Sequence, residues 1–243
     1  MDIALLLSST IALTSGIPLT LLLTSLSLAA AFVVSVPLAF MRASAWKWFS
    51  MPVLAYTYMI RGTPLLVQLF LIYYGPGQIE FIRSSPLWLI LRDPFRCCLL
   101  AFSLNSAAYT TEIFRGGIQA VTVGMVEAAE AIGMTPMQVK CRIVFPIAFR
   151  SVLPSYANEV IGMLKASSLA STVTLLEITG LSRKLVAETF APYEVFIAAG
   201  ILYLCLTFIL TSTFQALESL LTGAPQTNAS PRRGPLKEVR YEP

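Results

Sequence analysis

Residues Ile17–Met41 read IPLTLLLTSLSLAAAFVVSVPLAFM, with no charged side chain anywhere in the run. About twenty consecutive apolar residues cross a bilayer as a helix, whereas a spanning strand needs only about ten. A run of this length is a membrane helix, so the chain reads as an all-α membrane protein and not as a β-barrel. Three more such stretches follow, Met51–Tyr74, Cys97–Phe114 and Tyr193–Phe214, and a weaker fifth near 152–172 carries Glu159 and Lys165. The expectation is a five-span helical bundle over residues 17–220. The opening run Ile3–Leu13 is too short to cross and lacks the basic flank of a cleaved signal. Residues 1–16 are therefore expected as a retained surface helix. The end, 221–243, is rich in Pro, Gly and charge and reads as a disordered cytoplasmic tail.

Composition agrees. Apolar residues make up 56% of the 243 and charged residues 12%, about half the usual share of roughly 25%. So few charges cannot cover the surface of a soluble domain, and a disordered chain needs the opposite balance. There is no histidine, which excludes Ser-His-Asp and Cys-His catalysis and His-ligated metals. Cys97, Cys98, Cys141 and Cys205 show neither CxxC nor zinc spacing and read as small hydrophobes. The net charge of +4 points to the positive-inside rule in so apolar a chain, and not to nucleic acid.

With five spans and the N-terminus outside, ten of the seventeen basic residues fall on the cytoplasmic side: Arg42, Lys47, Arg115, Lys140, Arg142, Arg150 and four in the tail. Five fall outside, and Arg61 and Lys165 fall within spans. That bias sets the orientation, with the C-terminus in the cytoplasm. No inverted repeat relates the halves, which counts against many secondary-transporter folds.

The longest charged segment between spans, Gly116–Arg150, reads GGIQAVTVGMVEAAEAIGMTPMQVKCRIVFPIAFR. Good helix formers fill about Val123–Ile132, and Gly133 stands where a left-handed C-terminal cap belongs. Thr135 can then cap a second helix, with Pro136 in its first position and Gln138 completing a capping box. That helix ends before Pro146 or kinks there. Two amphipathic helices joined at a glycine bend suit two roles. They can lie on the lipid surface with Lys140 and Arg142 at headgroups, or dock as a knob in a partner's groove.

Glu127-Ala128-Ala129, three residues, Gly133, then Ile143 and Pro146 resemble the EAA loop of ABC-importer permeases. The stretch Arg61-Gly62-Thr63-Pro64-Leu65-Leu66-Val67-Gln68 with Phe70–Gly75 is similar to the second span of the polar-amino-acid permeases, Leu104–Phe114 to their third, and Asn158–Ile161 with Lys165 and Ser167–Leu169 to their fourth. The segment from Tyr73 through Pro94 is similar to the M-type permeases of arginine, histidine and opine importers. One departure is Val121-Thr122-Val123-Gly124, where the family often has a proline. The resemblance implies a type I ABC importer permease with a cytoplasmic coupling loop carrying Glu127, Ala128, Ala129, Gly133 and Pro146. It implies a non-catalytic subunit of the bacterial inner membrane that binds no cofactor. ATP would be used by two partner ATP-binding cassette subunits, since this sequence has no GxxxxGK[ST] loop. A second permease, identical or homologous, would complete the path, and a periplasmic binding protein would deliver a polar amino acid of basic type.

Ionisable groups inside spans are functional candidates because their desolvation is costly. Asn105, Tyr109 and Glu112 share one helical stripe, and Asn158, Gly162 and Lys165 another, with Glu159 adjacent. Either stripe can contact substrate or supply interhelical hydrogen bonds. The expected substrate path is Glu112, Glu159, Asn105, Tyr109, Thr63 and Lys165, with a cationic side chain met by Glu112 and Glu159. Arg61 and Lys165 read as structural partners of those carboxylates or of helix ends. Thr63 and Pro64 open the second span or contact ligand. The competing class is a secondary amino-acid carrier or channel, which has no use for an EAA loop. A membrane enzyme is disfavoured by the absence of histidine.

Overall fold

The computed structural model describes residues 2–222, all helical apart from turns and short connections. In chain order the helices are α1 (Ile3–Leu13), α2 (Ile17–Arg42), α3 (Lys47–Arg61), α4 (Leu65–Tyr74), α5 (Glu80–Arg83), α6 (Trp88–Leu91), α7 (Pro94–Ala120), α8 (Val123–Ala131), α9 (Pro136–Val139), α10 (Phe145–Ala166), α11 (Ile178–Thr189) and α12 (Pro192–Thr222). α7 is the central post, packed against α2, α3, α4 and α10. Its inner faces carry small residues, among them Ala101, Ala107, Ala108, Thr110 and Thr111, all buried. Such residues let helices approach closely where no hydrophobic driving force separates protein from lipid. A Cβ at Gly117 would strike Val152 of α10, so the glycine is what admits that helix.

The main core joins Leu23 and Leu28 of α2, Leu69 of α4, Phe102 of α7, Val160 and Met163 of α10, and Ala170 and Val173 just beyond it. A second core seats α1 on α12 through Leu13, Val195, Ala198 and Leu202. Hydroxyls inside the bundle bond back to their own helices, as Thr20 does to the Gly16 carbonyl and Thr24 to that of Thr20. Asp2 caps α1, accepting from the Ala4 and Leu5 amides.

Three expectations change. The N-terminal segment is helical but is not a separate surface helix. Through a 3-10 turn at Thr14–Gly16 it runs into α2 as one 40-residue rod, Ile3–Arg42. At that turn Gly16 admits the backbone of residues 177–178, because a Cβ there would stand 2.7 Å from the amide nitrogen of Ile178. Second, the stretch 51–74 is broken: α3 ends at Arg61, and α4 begins after Pro64, an extended residue that cannot continue a helix. Third, α12 continues through Leu221 and Thr222, where a tail was expected; the remainder of that tail lies outside the described residues. By length and composition, two runs among the described residues can cross a membrane, Ile3–Arg42 and Pro192–Leu221. A third exists if Pro136–Val173 and Ile178–Thr189, bent by 48°, count together. The pieces α3 and α4 are too short singly, and Asn105, Thr110, Thr111 and Glu112 make α7 more polar than a typical span.

A buried carboxylate organises the bend after α10. Glu177 is 0% exposed and accepts from the Thr179 amide at 2.7 Å, the Gly180 amide at 2.9 Å and the Tyr203 hydroxyl at 2.9 Å. The Ile178 amide next to it donates to Thr20 Oγ1 at 3.3 Å. One acidic residue thus caps α11 and ties it to α12, while its neighbour ties it to α2.

Candidate functional site

Two features stand out: a polar cleft between α3 and α7, and the helix pair α8–α9. Leu54, Thr57, Tyr58 and Arg61 recur at three- and four-residue intervals, one face of α3, and meet Tyr109 and Glu112 of α7 around a cleft of about 470 Å³. At its edge the break between α3 and α4 is held by Gln68. That side-chain amide donates to the Ile60 carbonyl at 2.7 Å, the Thr63 carbonyl at 3.1 Å and Thr63 Oγ1 at 2.8 Å. Its own oxygen accepts from Asn105 Nδ2 at 3.0 Å. Backbone carbonyls freed by the break are thereby satisfied inside the bundle, as a low-dielectric setting requires.

The sequence-selected residues divide into groups. Glu112 is fully engaged: Arg115 Nε donates at 2.7 Å, Thr57 Oγ1 donates at 3.2 Å, and Arg42 Nε lies 3.3 Å away as an ion pair. Its partners are therefore Arg42 and Arg115, and not Arg61 or Lys165 as expected. The reason is geometric. The end of α2 reaches the same turn of α7 that carries Glu112, and Arg115 sits one turn along. Glu159 of α10 accepts from Ser106 Oγ at 2.7 Å and, among the described residues, forms no ion pair. Tyr109 lies under the Arg61 guanidinium, 5.1 Å from ring centre to Cζ. Asn105 turns to Gln68, so the Asn105–Tyr109–Glu112 stripe is split between two neighbours. Thr63 donates to the Met59 carbonyl at 3.0 Å. Lys165 is exposed, as are Asn158 and Gly162 on the same face of α10. Gln68, Ser106, Thr57, Arg42 and Arg115 were not selected from the sequence. Only Arg115, three residues from Glu112 on one helix, carried a legible signal.

The 123–144 segment agrees with its sequence closely. α8 starts at Val123 after Thr122, and Gly133 adopts φ +83°, a left-handed conformation that favours glycine. Thr135 and Gln138 complete the capping box, with the Gln138 amide donating to Thr135 Oγ1 at 3.4 Å and the Thr135 amide to Gln138 Oε1 at 2.9 Å. The second helix does not end before Pro146. A π-helical turn, Lys140–Val144, carries it into α10, with Pro146 in the first turn where its missing N–H costs nothing. Ala129, Val139 and Val144 pack the pair onto Phe40 of α2 and Ile118 of α7. Glu127, Ala128, Gly133 and Pro146 are exposed. Val123 at 70%, Ile132 at 79% and Met137 at 70% exposure leave an uncovered apolar rim beside them. Phe145 then stacks with Phe114 of α7, Phe149 meets the same ring at a tilt of 34°, and Phe149 also meets Phe32 of α2 edge-on.

The family described as "Binding-protein-dependent transport system inner membrane component" matches residues 31–223. The chain is 50% identical over 212 residues to the nopaline transport system permease protein NocM of Agrobacterium fabrum, covering 87% of this chain and 88% of that one. It is 42% identical over 203 residues to the arginine ABC transporter permease protein ArtM of Haemophilus influenzae, covering 84% and 89%. Among solved structures, an amino acid ABC transporter with histidines superposes with a TM-score of 0.79 at 31% identity, over 90% of this chain and 99% of that one. The MetNI methionine ABC transporter superposes with a TM-score of 0.72 at 16% identity, a likeness of fold alone.

Proposed function

We propose, from the premise that this chain belongs to the family of binding-protein-dependent transport system inner membrane components, that it forms the path for a basic amino acid or opine across the inner membrane. It is a non-catalytic permease subunit of an ABC importer, and ATP is hydrolysed by a separate ATPase partner. An ATPase-independent carrier is thereby set aside. On this reading α2, α3–α4, α7, α10 and α12 each cross, with the N-terminus periplasmic and the C-terminus cytoplasmic. A second permease, two ATP-binding cassette subunits and a periplasmic binding protein complete the machine.

One observation carries the substrate class. Glu159 is a carboxylate inside the bundle with, among the described residues, a single hydroxyl donor and no ion pair. A charge left so under-partnered in low dielectric suits a visiting cation. Glu112 is the weaker candidate, because Arg42 and Arg115 already neutralise it. Relatives that carry nopaline, octopine and arginine, by their names, support a guanidinium-bearing cargo. The uncovered rim of α8–α9, with Glu127, Ala128 and Ala129 beside Gly133, suits a helix-in-groove dock on the ATPase. The π turn and the Phe145–Phe149–Phe114 cluster tie that dock to α7 and α10, so its displacement moves the spans as rigid bodies.

The test is uptake of L-arginine by the assembled importer carrying Glu159→Gln. The expected result is uptake reduced at least tenfold, with normal co-purification of the ATPase. Undiminished uptake would move selectivity to the binding protein.

A further inference from the structure

Arg96, Leu100, Ser103 and Ala107 recur at three- and four-residue intervals, one stripe of α7. They line a groove of about 420 Å³ that Ala30 and Val34 of α2 wall on the other side, with Ile90 of α6 at the Arg96 end. The groove shares no residue with the cleft between α3 and α7. Its floor is small: Ala107 is buried, and Ser103 Oγ is buried with no hydrogen-bond partner among the described residues. Val34, Leu100 and Leu104 stay exposed along it. The one charge in the groove is Arg96. Its Nε pairs with Asp93 at 3.4 Å and its Nη1 donates to the Leu89 carbonyl at 2.9 Å. Among the described residues Nη2 makes no hydrogen bond.

We propose that this groove binds one glycerophospholipid, with an acyl chain laid along α7 and the phosphate on Arg96. Length and charge choose that occupant. From Arg96 to Ala107 the helix rises about 16 Å, and one leaflet of hydrocarbon is half of about 30 Å. The groove thus runs from headgroup level to the bilayer midplane. Its cation stands at the headgroup end, where a guanidinium with a spare N–H suits a phosphate oxygen. Trp88 and Arg92, on the same connection into α7, are the residue types that sit at that interface. Below Arg96 the walls offer carbon and one hydroxyl, which suits a hydrocarbon chain. A helix of a second permease is the competing occupant, and it has no need of a cation at one end. The other role for Arg96 is structural, through Asp93 and the Leu89 carbonyl. That role is indifferent to whether a lipid carries a phosphate, which separates the two readings.

The inference rests on the proposed crossing of α7 and not on the cargo. The permease, purified with its ATPase, is titrated with phosphatidylglycerol and with a diacylglycerol of the same chains, and bound lipid is counted by native mass spectrometry. The wild type should hold phosphatidylglycerol about tenfold tighter or more, the worth of a charge-assisted hydrogen bond to the phosphate. Arg96→Gln should lose that preference. Arg92→Gln, at the same level but outside the groove, should keep it. Ser103→Phe should exclude both lipids with the Arg96 contacts in place, and carries the test if Arg96→Gln does not assemble. A benzophenone amino acid in place of Leu100 should cross-link to phospholipid. Cross-linking to a second permease chain would give the groove to that partner and overturn the inference. Equal binding of the two lipids by the wild type, or the same loss in Arg92→Gln as in Arg96→Gln, also overturns it. Failure of the crossing is read separately, as identical signals from reporter fusions at Arg83 and Lys140, and takes the inference with it.

Discussion

Glu112 and Glu159 show what a single side chain's partners decide. Both are carboxylates on inward helices, and their sequence context separates them only weakly. Glu112 is held by Arg115, Thr57 and Arg42, whereas Glu159 has Ser106. Removing the Glu112 charge takes the charged acceptor from Arg115 Nε and the ion-pair partner from Arg42, and a charge-assisted bond is worth about 1.5–3 kcal/mol. Glu112→Gln is therefore expected to lower the melting temperature of the purified complex. Unchanged melting, with L-arginine uptake lost, would return Glu112 to the substrate path. The buried Glu177 is a parallel case. Glu177→Ala would leave the Thr179 and Gly180 amides without their acceptor, at about 1–3 kcal/mol for each unsatisfied group, while the Tyr203 hydroxyl keeps the Thr179 hydroxyl as a partner at 3.1 Å. A clear loss of thermal stability in detergent is the expected outcome, measured by melting with a thiol-independent dye.

The α8–α9 pair is the element whose local rules all agree. Its glycine stands at φ +83° with open space around it, so strain and not crowding governs substitution there. A residue with a β-carbon carries roughly 1–2 kcal/mol in that conformation, and a β-branched one suffers most. Gly133→Val is expected to reach the membrane at near-normal levels, because insertion depends on the apolar runs and their flanking charge. Its transport should nevertheless fall, with weakened ATPase co-purification or hydrolysis uncoupled from uptake. Gly133→Ala, less crowded, should be milder. Wild-type transport by Gly133→Val would favour a helix pair lying on lipid.

At the scale of the molecule, the proposed orientation ties these sites together: a helix pair that docks on the ATPase must face the cytoplasm. Arg83, the last residue of the short α5, and Lys140, in the π turn, lie on opposite sides in the proposed five-span arrangement. Reporter fusions at the two positions should give opposite signals, with Lys140 cytoplasmic. The same side for both would break the span count, and an external Lys140 would remove the dock. The count depends on α3 and α4 acting as one crossing despite the break at Gly62–Pro64, which Gln68 and Asn105 stabilise from within.

The sequence by itself determined what depends on contiguous residues. Apolar runs gave the helices, and the Gly133–Thr135–Pro136–Gln138 order gave a left-handed cap and a capping box, since a cap is read within one turn of chain. Tertiary structure decided what depends on distant residues. That Arg42 answers Glu112 across 70 positions and that Arg61 has no ion pair among the described residues are properties of how α2, α3 and α7 cross. The seating of the start of α11 on α2 likewise depends on Ile178, far along the chain from Gly16 and Thr20, lying against both. Charge pairing acts through space at a few ångströms, and no local pattern carries that distance.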